Sequence, residues 1–375
     1  MRQELSRFIV TVKPRPILPM KRATVAKIHH SSIIHNYRLA CQLAPDSANL
    51  AVIKANAYGH GLSEVAQLLE PMVPAFAVAI LDEALTLRQQ GIVKPVVILE
   101  GVDSPEGMSW AARHNCWPIL HTKRQLAALT NADSKPRCWV KLDTGMHRLG
   151  FAPPELADVV EQVRGLTATS PVICTHFARA DELDNPMTTQ QLNLFRRASR
   201  SLGCSTSLAN SPALLGHPAA HSDWNRPGLM LYGCSPFSGP QEHADQLQAA
   251  MTLESEIIAI RNIPSGDSVG YGSRWQAKEP ARIATLAIGY ADGYPRHSQS
   301  QCRVWLHNQY APLAGTVSMD MVTIDVSHIP ETKEGDKVEL WGPHVPVTEV
   351  ARHNGTINYE LLTRVSQRVP RVYID

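Results

Sequence analysis

Residues 75–100 read AFAVAILDEALTLRQQGIVKPVVILE. An apolar β-type run, Ala75–Ile80, passes into an amphipathic segment, Asp82–Gln90, and a second apolar run, Pro95–Glu100, follows the turn at Gly91. This is the signature of a βαβ unit, because a strand buried on both faces reads as a short continuous apolar run while the helix that covers it keeps one wet face. The same alternation continues outward in both directions. Asn49–Lys54, Cys116–His121, Arg137–Asp143, Pro171–Phe177, Ser205–Asn210 and Gly228–Gly233 are strand-like, and Leu62–Glu70, Lys123–Leu129, Pro154–Leu166 and Thr188–Leu202 are helix-like. Eight strand-like runs separated by helices over roughly 200 residues predict an α/β fold, a (β/α)8 barrel of the TIM type, since an open sheet of that size would be large.

Beyond Ala249 the pattern changes. Short alternating runs at Thr252–Ala259, Arg282–Ile288, Arg303–Leu306, Met321–Val326 and Lys337–Leu340, separated by Gly, Pro and Asp, predict a mainly antiparallel β domain. Helix patterning returns only at His344–Asn354 and Tyr359–Val365. The expected organisation is therefore an N-terminal extension at 1–22, a barrel at 23–249 and a β domain at 250–375, with Ala23–Ile28 alternating like a strand that could pair with the second domain. The extension, MRQELSRFIVTVKPRPILPMKR, has too short an apolar core for a signal peptide; it reads as a disordered arm, with Met20 as an alternative start.

Composition narrows the partners. Of 375 residues, 44% are hydrophobic and 19% charged, an ordinary globular balance, and the formal net charge of +2 gives no basic field for nucleic acid or an anionic membrane. No apolar stretch approaches the ~20 residues of a spanning helix. Seven scattered cysteines without a CxxC pair suit reduced thiols better than disulfides or zinc, which points to the cytoplasm and to no metal site.

In a barrel of this kind chemistry gathers at the carboxyl ends of the strands. That rule selects Lys54 and the AlaAsnAlaTyrGlyHisGly that follows it, Lys141 with AspThrGlyMetHisArg148, His176, Asn210–Ser211, and Arg226–Pro227–Gly228. The set holds an amine able to form a Schiff base, arginines, a histidine, and turns able to hold an anion. Each member alone is ordinary. A strand-end lysine is commonly solvated or ion-paired, a lone histidine usually a satisfied core residue, and Tyr271 between Gly270 and Gly272 most simply marks a bend.

Taken in order, AVIKANAYGHG (51–61), KLDTGMHRLGF (141–151), THFARADE (175–182), ANS (209–211), DWNRPGLMLYG (223–233), VGYGSRW (269–275), IGYADGYPR (288–296) and VSMDM (317–321) resemble the alanine racemases, pyridoxal 5'-phosphate (PLP) enzymes with a barrel and a C-terminal β domain. The resemblance runs from about Ala23 to Asp375. It implies interconversion of L- and D-alanine by two bases on opposite faces of Cα: Lys54, which also holds PLP covalently, and Tyr271, reaching over from the other subunit of a homodimer. His176 and Arg226 would make the tyrosine a competent base, with Arg226 also facing the pyridine nitrogen. Tyr58, Ser211, Gly228, Leu229 and Tyr359 would hold the phosphate. Arg148 would face the PLP phenolic oxygen and the substrate carboxylate, Lys141 would be carbamylated and support Arg148, and Met319 would bind the carboxylate from the partner. Asp181, Tyr290 and Arg296 would narrow the entrance. One departure is Thr316, where the family usually carries an arginine; Arg274 is a candidate to compensate. The resemblance fits peptidoglycan supply or D-alanine catabolism. Its rivals are a racemase of serine or basic amino acids, a non-catalytic PLP-binding protein, and a PLP decarboxylase on a related barrel.

Overall fold

The computed structural model describes residues 23–298 and 301–375; the extension expected at 1–22 lies outside the described residues. After β1 (Val25–His29) and the helix His30–Leu43 come β2 (Ala48–Asn49), β3 (Ala51–Val52), β4 (Phe76–Val78), β5 (Val96–Ile98), β6 (Cys116–Leu120), β7 (Trp139–Lys141), β8 (Val172–Cys174), β9 (Thr206–Ser207) and β10 (Trp224–Asn225). These nine strands form one sheet in the order β2-β10-β9-β8-β7-β6-β5-β4-β3. Each neighbouring pair is parallel. Because β2 and β3 are two halves of the run Asn49–Lys54 interrupted at Leu50, β10 on one side and β4 on the other close the sheet into a barrel.

The helices lie where amphipathic spacing put them, at Leu62–Leu69, Leu81–Gln89, Lys123–Asn131, Leu156–Leu166 and Met187–Ser199. Side-chain caps fix some starts: the Ser104 hydroxyl accepts from Gly107 N at 3.1 Å at the head of helix Pro105–Arg113. The amino end of the barrel is filled by Trp117, Trp139 and Trp224, with the Arg137 guanidinium 4.5 Å from the Trp117 ring centre.

One strand expectation fails. Gly228–Gly233 is not the eighth stave; it holds a 3-10 turn, Leu229–Tyr232, ended by left-handed Gly233, and the eighth stave is Trp224–Asn225. A short apolar run fits a buried strand or a buried helical turn equally well by periodicity. Here the Ser211 hydroxyl decides, accepting from Gly228 N at 2.9 Å and Met230 N at 3.3 Å and bending the chain across the barrel mouth.

The second sheet is built on a long strand, β11 (Met251–Ile263). After the hairpin of β12 (Ser268–Val269) and β13 (Trp275–Gln276) follow β14 (Ala281–Leu286), β15 (Arg303–Leu306), β16 (Gln309–Pro312), β17 (Val322–Asp325), β18 (Lys337–Trp341) and β19 (Arg371–Ile374). β11 pairs antiparallel with β1, β14 and β18, and the one parallel pair joins β1 to β19. A continuous apolar core runs from the barrel into this sheet.

Candidate active site

The site begins with an unusual turn. Past β3 the chain enters four consecutive non-glycine residues in the left-handed region, Ala55, Asn56, Ala57 and Tyr58, at φ of 53°, 55°, 52° and 52°. Each costs an L-residue roughly 1–2 kcal/mol, so the surroundings must enforce them. The Asn56 side chain accepts from Leu62 N at 2.8 Å, and Arg371 Nε donates to the Gly59 carbonyl at 3.0 Å. Gly59 must be glycine: at φ 83° a Cβ there would stand 2.2 Å from the Leu362 carbonyl oxygen. That close approach lays the turn on the helix Asn358–Arg364 and brings the Tyr58 and Tyr359 rings within 6.1 Å of each other.

The turn directs Lys54 into a cavity of about 960 Å³ at the carboxyl ends of the strands. Ten of the residues expected at the site line it: Lys54, Tyr58, Lys141, Arg148, His176, Ser211, Arg226, Gly228, Leu229 and Tyr359. They come from separate places in the chain for definite local reasons. Arg148 rides a loop folded back by Asp143, whose carboxylate accepts from Gly145 N at 2.9 Å and His147 N at 3.1 Å. Buried Arg226 is locked by donating from Nη1 to Ser207 O (2.9 Å) and Ser207 Oγ (2.6 Å) and from Nη2 to Thr175 O (2.6 Å) and Leu208 O (3.1 Å), bonds that leave its Nε hydrogen uncommitted. Asn210 Nδ2 stands 3.4 Å from His176 Nε2 while its Oδ1 accepts from Ala213 N at 3.2 Å.

Electrostatically the cavity is cation-rich. Burial first, and then the Arg148 charge, hold the Lys54 amine below its usual range, opposed by Glu100 and Glu83. Lys141 is lowered by burial and by Arg226 and Arg148, against Cys174 and Asp143. His176 is driven well below the ordinary imidazole value by burial, reinforced by Arg226, Lys141, Arg148 and Lys54, so it is neutral at physiological pH. Burial raises Tyr359 to about 12, keeping its phenol protonated. Among the described residues the side chains of Lys54, Lys141 and Arg148 form no hydrogen bond or ion pair. These cations, the Tyr58 and Ser211 hydroxyls and the backbone at Gly228, where a Cβ would stand 2.7 Å from the Tyr58 hydroxyl, make a donor set that fits a flat ring carrying a phosphate.

Five expected residues are not on this cavity. Tyr271 sits in the β12–β13 hairpin with its ring 70% exposed, and Met319 is 53% exposed, so neither packs into the chain that carries it. Asp181 lines a separate hollow with Pro186 and Phe237, Tyr290 is half-buried, and Arg296 is exposed. Thr316, at the departure from the family pattern, donates its hydroxyl to the Tyr271 carbonyl at 3.2 Å. Arg274 is exposed beside that hairpin. Leu99, Glu100, His121 and Cys174, at strand ends, and Gln125, at the start of the helix Lys123–Asn131, also line the cavity and had no sequence signal beyond that placement.

The model of the alanine racemase N-terminal domain matches residues 28–236 and that of the alanine racemase C-terminal domain residues 250–373. An alanine racemase of Alteromonas mediterranea is 48% identical over 355 residues, spanning 94% of this chain and 99% of that one. Among solved structures, the biosynthetic alanine racemase of Pseudomonas aeruginosa superposes with a TM-score of 0.90 at 42% identity, covering 94% of this chain and all of the other. The alanine racemase of Bartonella henselae with covalently bound pyridoxal phosphate superposes with a TM-score of 0.85 at 29% identity, covering 94% and 99%. With both domain models and near full-length relatives in agreement, the chain belongs to the alanine racemase family.

Proposed function

We propose that this protein interconverts L- and D-alanine, with Lys54 of one copy and Tyr271 of a second as the two bases. The observation that carries the reading is an asymmetry: the cavity collects Lys54, the anion cradle and Arg226, whereas Tyr271 and Met319 stand exposed on the β domain of the same chain. A C2 dimer would give each cavity the missing pair from its neighbour. Lys54, Tyr58, Ser211, Arg226, Gly228, Leu229 and Tyr359 would hold PLP, which when bound supplies an electron-withdrawing ring that acidifies the α-proton of alanine.

The roles of this chain's groups follow from their environments. A buried amine with lowered basicity is more often neutral, so Lys54 can take a proton from Cα on one face. The second base must stand on the opposite face, where Tyr271 of the second copy would supply or accept the other proton. Neutral His176 contributes hydrogen bonding there, and the permanent positive charge comes from Arg226. Arg226 does not give up a proton readily, so it would donate to the PLP ring nitrogen and disfavour protonation there. Arg148 would receive the substrate carboxylate together with the Met319 backbone of the second copy. Lys141, without an ion-pair partner and with depressed basicity, is suited to carbamylation, which would turn it into an anion beside Arg148. Asp181, Tyr290 and Arg296 are assigned to the entrance, which Thr316 leaves without a cation at that position.

No helix among the described residues is long and apolar enough to cross a membrane, and all seven cysteines are free. Seven unpaired thiols support placement of the enzyme in a reducing cytoplasm. The division of labour between copies is tested by co-expressing differently tagged Lys54→Ala and Tyr271→Ala chains. Each variant alone should be inactive. A random mixture should recover at most about a quarter of wild-type activity, since half the dimers are mixed and each holds one complete site. Purified mixed dimers without activity would refute the assignment of Tyr271 to the neighbouring site.

A further inference from the structure

We propose that Glu83 is the positioning residue for Lys54: its one carboxylate ties the backbone just after Lys54 to the adjacent barrel strand and places a negative charge at that backbone. The proposal rests on the reading of Lys54 as the reactive amine. Glu83 lies in the first turn of the helix Leu81–Gln89. Its Oε1 accepts from Ala55 N at 2.6 Å and its Oε2 from Ala79 N at 2.8 Å. Ala55 follows Lys54 directly and Ala79 follows β4 directly, so a single side chain links two neighbouring staves at their carboxyl ends. Charge-assisted bonds of this kind are short and strong.

The left-handed turn needs such a tie. Side chains restrain it at four places: Asn56 on Leu62 N, Arg371 on the Gly59 carbonyl, the His60 ring on the Ala57 and Tyr58 carbonyls, and Glu83 at the start. Of these side chains only Glu83 bonds to the residue next to Lys54, and only it brings a negative charge there. The charged and titratable groups that act on Lys54 are Arg148, Glu100, Glu83 and His176. Glu100, which lines the cavity, opposes the lowering first and half-buried Glu83 next, so each anion favours the ammonium. Two converging N–H donors require a carboxylate, because an amide would turn its own NH2 toward one of them. A general helix-start role for this glutamate would not account for the bond it accepts from Ala55 N.

The test uses the full chain freed of cofactor, with two readouts. Pulse acylation with acetic anhydride, quantified on the Lys54 peptide across pH, reports the titration midpoint of the amine; hydrogen exchange over residues 55–61 reports the tie. In Glu83→Gln the midpoint should fall, because the anion that favours the ammonium is gone, and exchange should quicken about tenfold. Glu83→Asp keeps the charge but is too short to reach both amides, so exchange should quicken with the midpoint held. Asn56→Ala, which loosens the same turn without removing charge, should behave like Glu83→Asp. A Glu83→Gln midpoint within about 0.3 pH units of wild type would reduce Glu83 to a structural residue and overturn the proposal. Exchange within about twofold of wild type in Glu83→Asp would overturn the tie even if Glu83→Gln does not fold. Rates of covalent PLP capture should drop about tenfold in both Glu83 variants, and unchanged capture would also refute the positioning role. If PLP attaches to another lysine in the wild-type chain, the assignment of Lys54 fails, and that result is distinct from failure of the Glu83 tie.

Discussion

Ser211→Ala should loosen the anion cradle before any cofactor binds. The Ser211 side chain is 3% exposed, and its hydroxyl accepts from two backbone amides, Gly228 N at 2.9 Å and Met230 N at 3.3 Å. Alanine removes the acceptor and leaves both donors buried. An unsatisfied buried N–H costs about 1–3 kcal/mol; with the longer bond at the low end, the local loss is about 2–4 kcal/mol. Because about 1.4 kcal/mol is a factor of ten, local opening of the Leu229–Tyr232 turn should rise about 30-fold or more. Hydrogen exchange of the peptide carrying residues 228–232, measured on cofactor-free protein, reads this directly. Ser211→Thr keeps a hydroxyl at the same backbone position and should restore most of the protection. Exchange within about threefold of wild type in Ser211→Ala would refute the reasoning, since it would mean that water or a rearranged turn satisfies both amides. PLP affinity should fall in the same order, Ala before Thr, because the amides that the hydroxyl orients belong to the proposed phosphate site.

Lys54→Ala should abolish borohydride-trappable PLP and nearly all turnover, and recovery of trapped cofactor on another lysine would contradict the site. Stability should fall as the pH drops below about 6.5 toward 4, because fully buried His60 has its pKa lowered by burial to about 4 and the unfolded chain therefore binds the proton first. The sign follows from a depressed folded value: the stabilisation is complete above the unfolded pKa and is lost as pH falls through the folded one. Over that span His60 accounts for about 3 kcal/mol, and His60→Phe should flatten the urea-midpoint profile by about one proton; an unchanged slope would show that His60 is not the group responsible.

Local patterning along the chain carries the architecture and many of the residues that line the cavity. Alternation of apolar runs with amphipathic segments is dictated by which faces are buried, so Ala75–Glu100 and its neighbours gave the barrel, and the change of period after Ala249 gave the antiparallel sheet. The ordered motifs led to Lys54, Arg148, His176, Ser211 and Arg226, all of which line one cavity. Short-range pattern could not decide Gly228–Gly233, where a hydroxyl from residue 211 captures amides that a strand would have paired elsewhere. Nor could it show that Lys54 opens a left-handed turn, or that a glutamate 29 residues later accepts a hydrogen bond from that turn's first amide. Glu83 looks like any acidic residue at a helix start, and only closure of the barrel puts that start against the end of the neighbouring strand. Neutral His176 is likewise a tertiary result, because burial and four separate cations set it, and none of them adjoins it in the chain. Periodicity records which side of an element faces the core; hydrogen bonds and fields between distant residues exist only once the chain has folded.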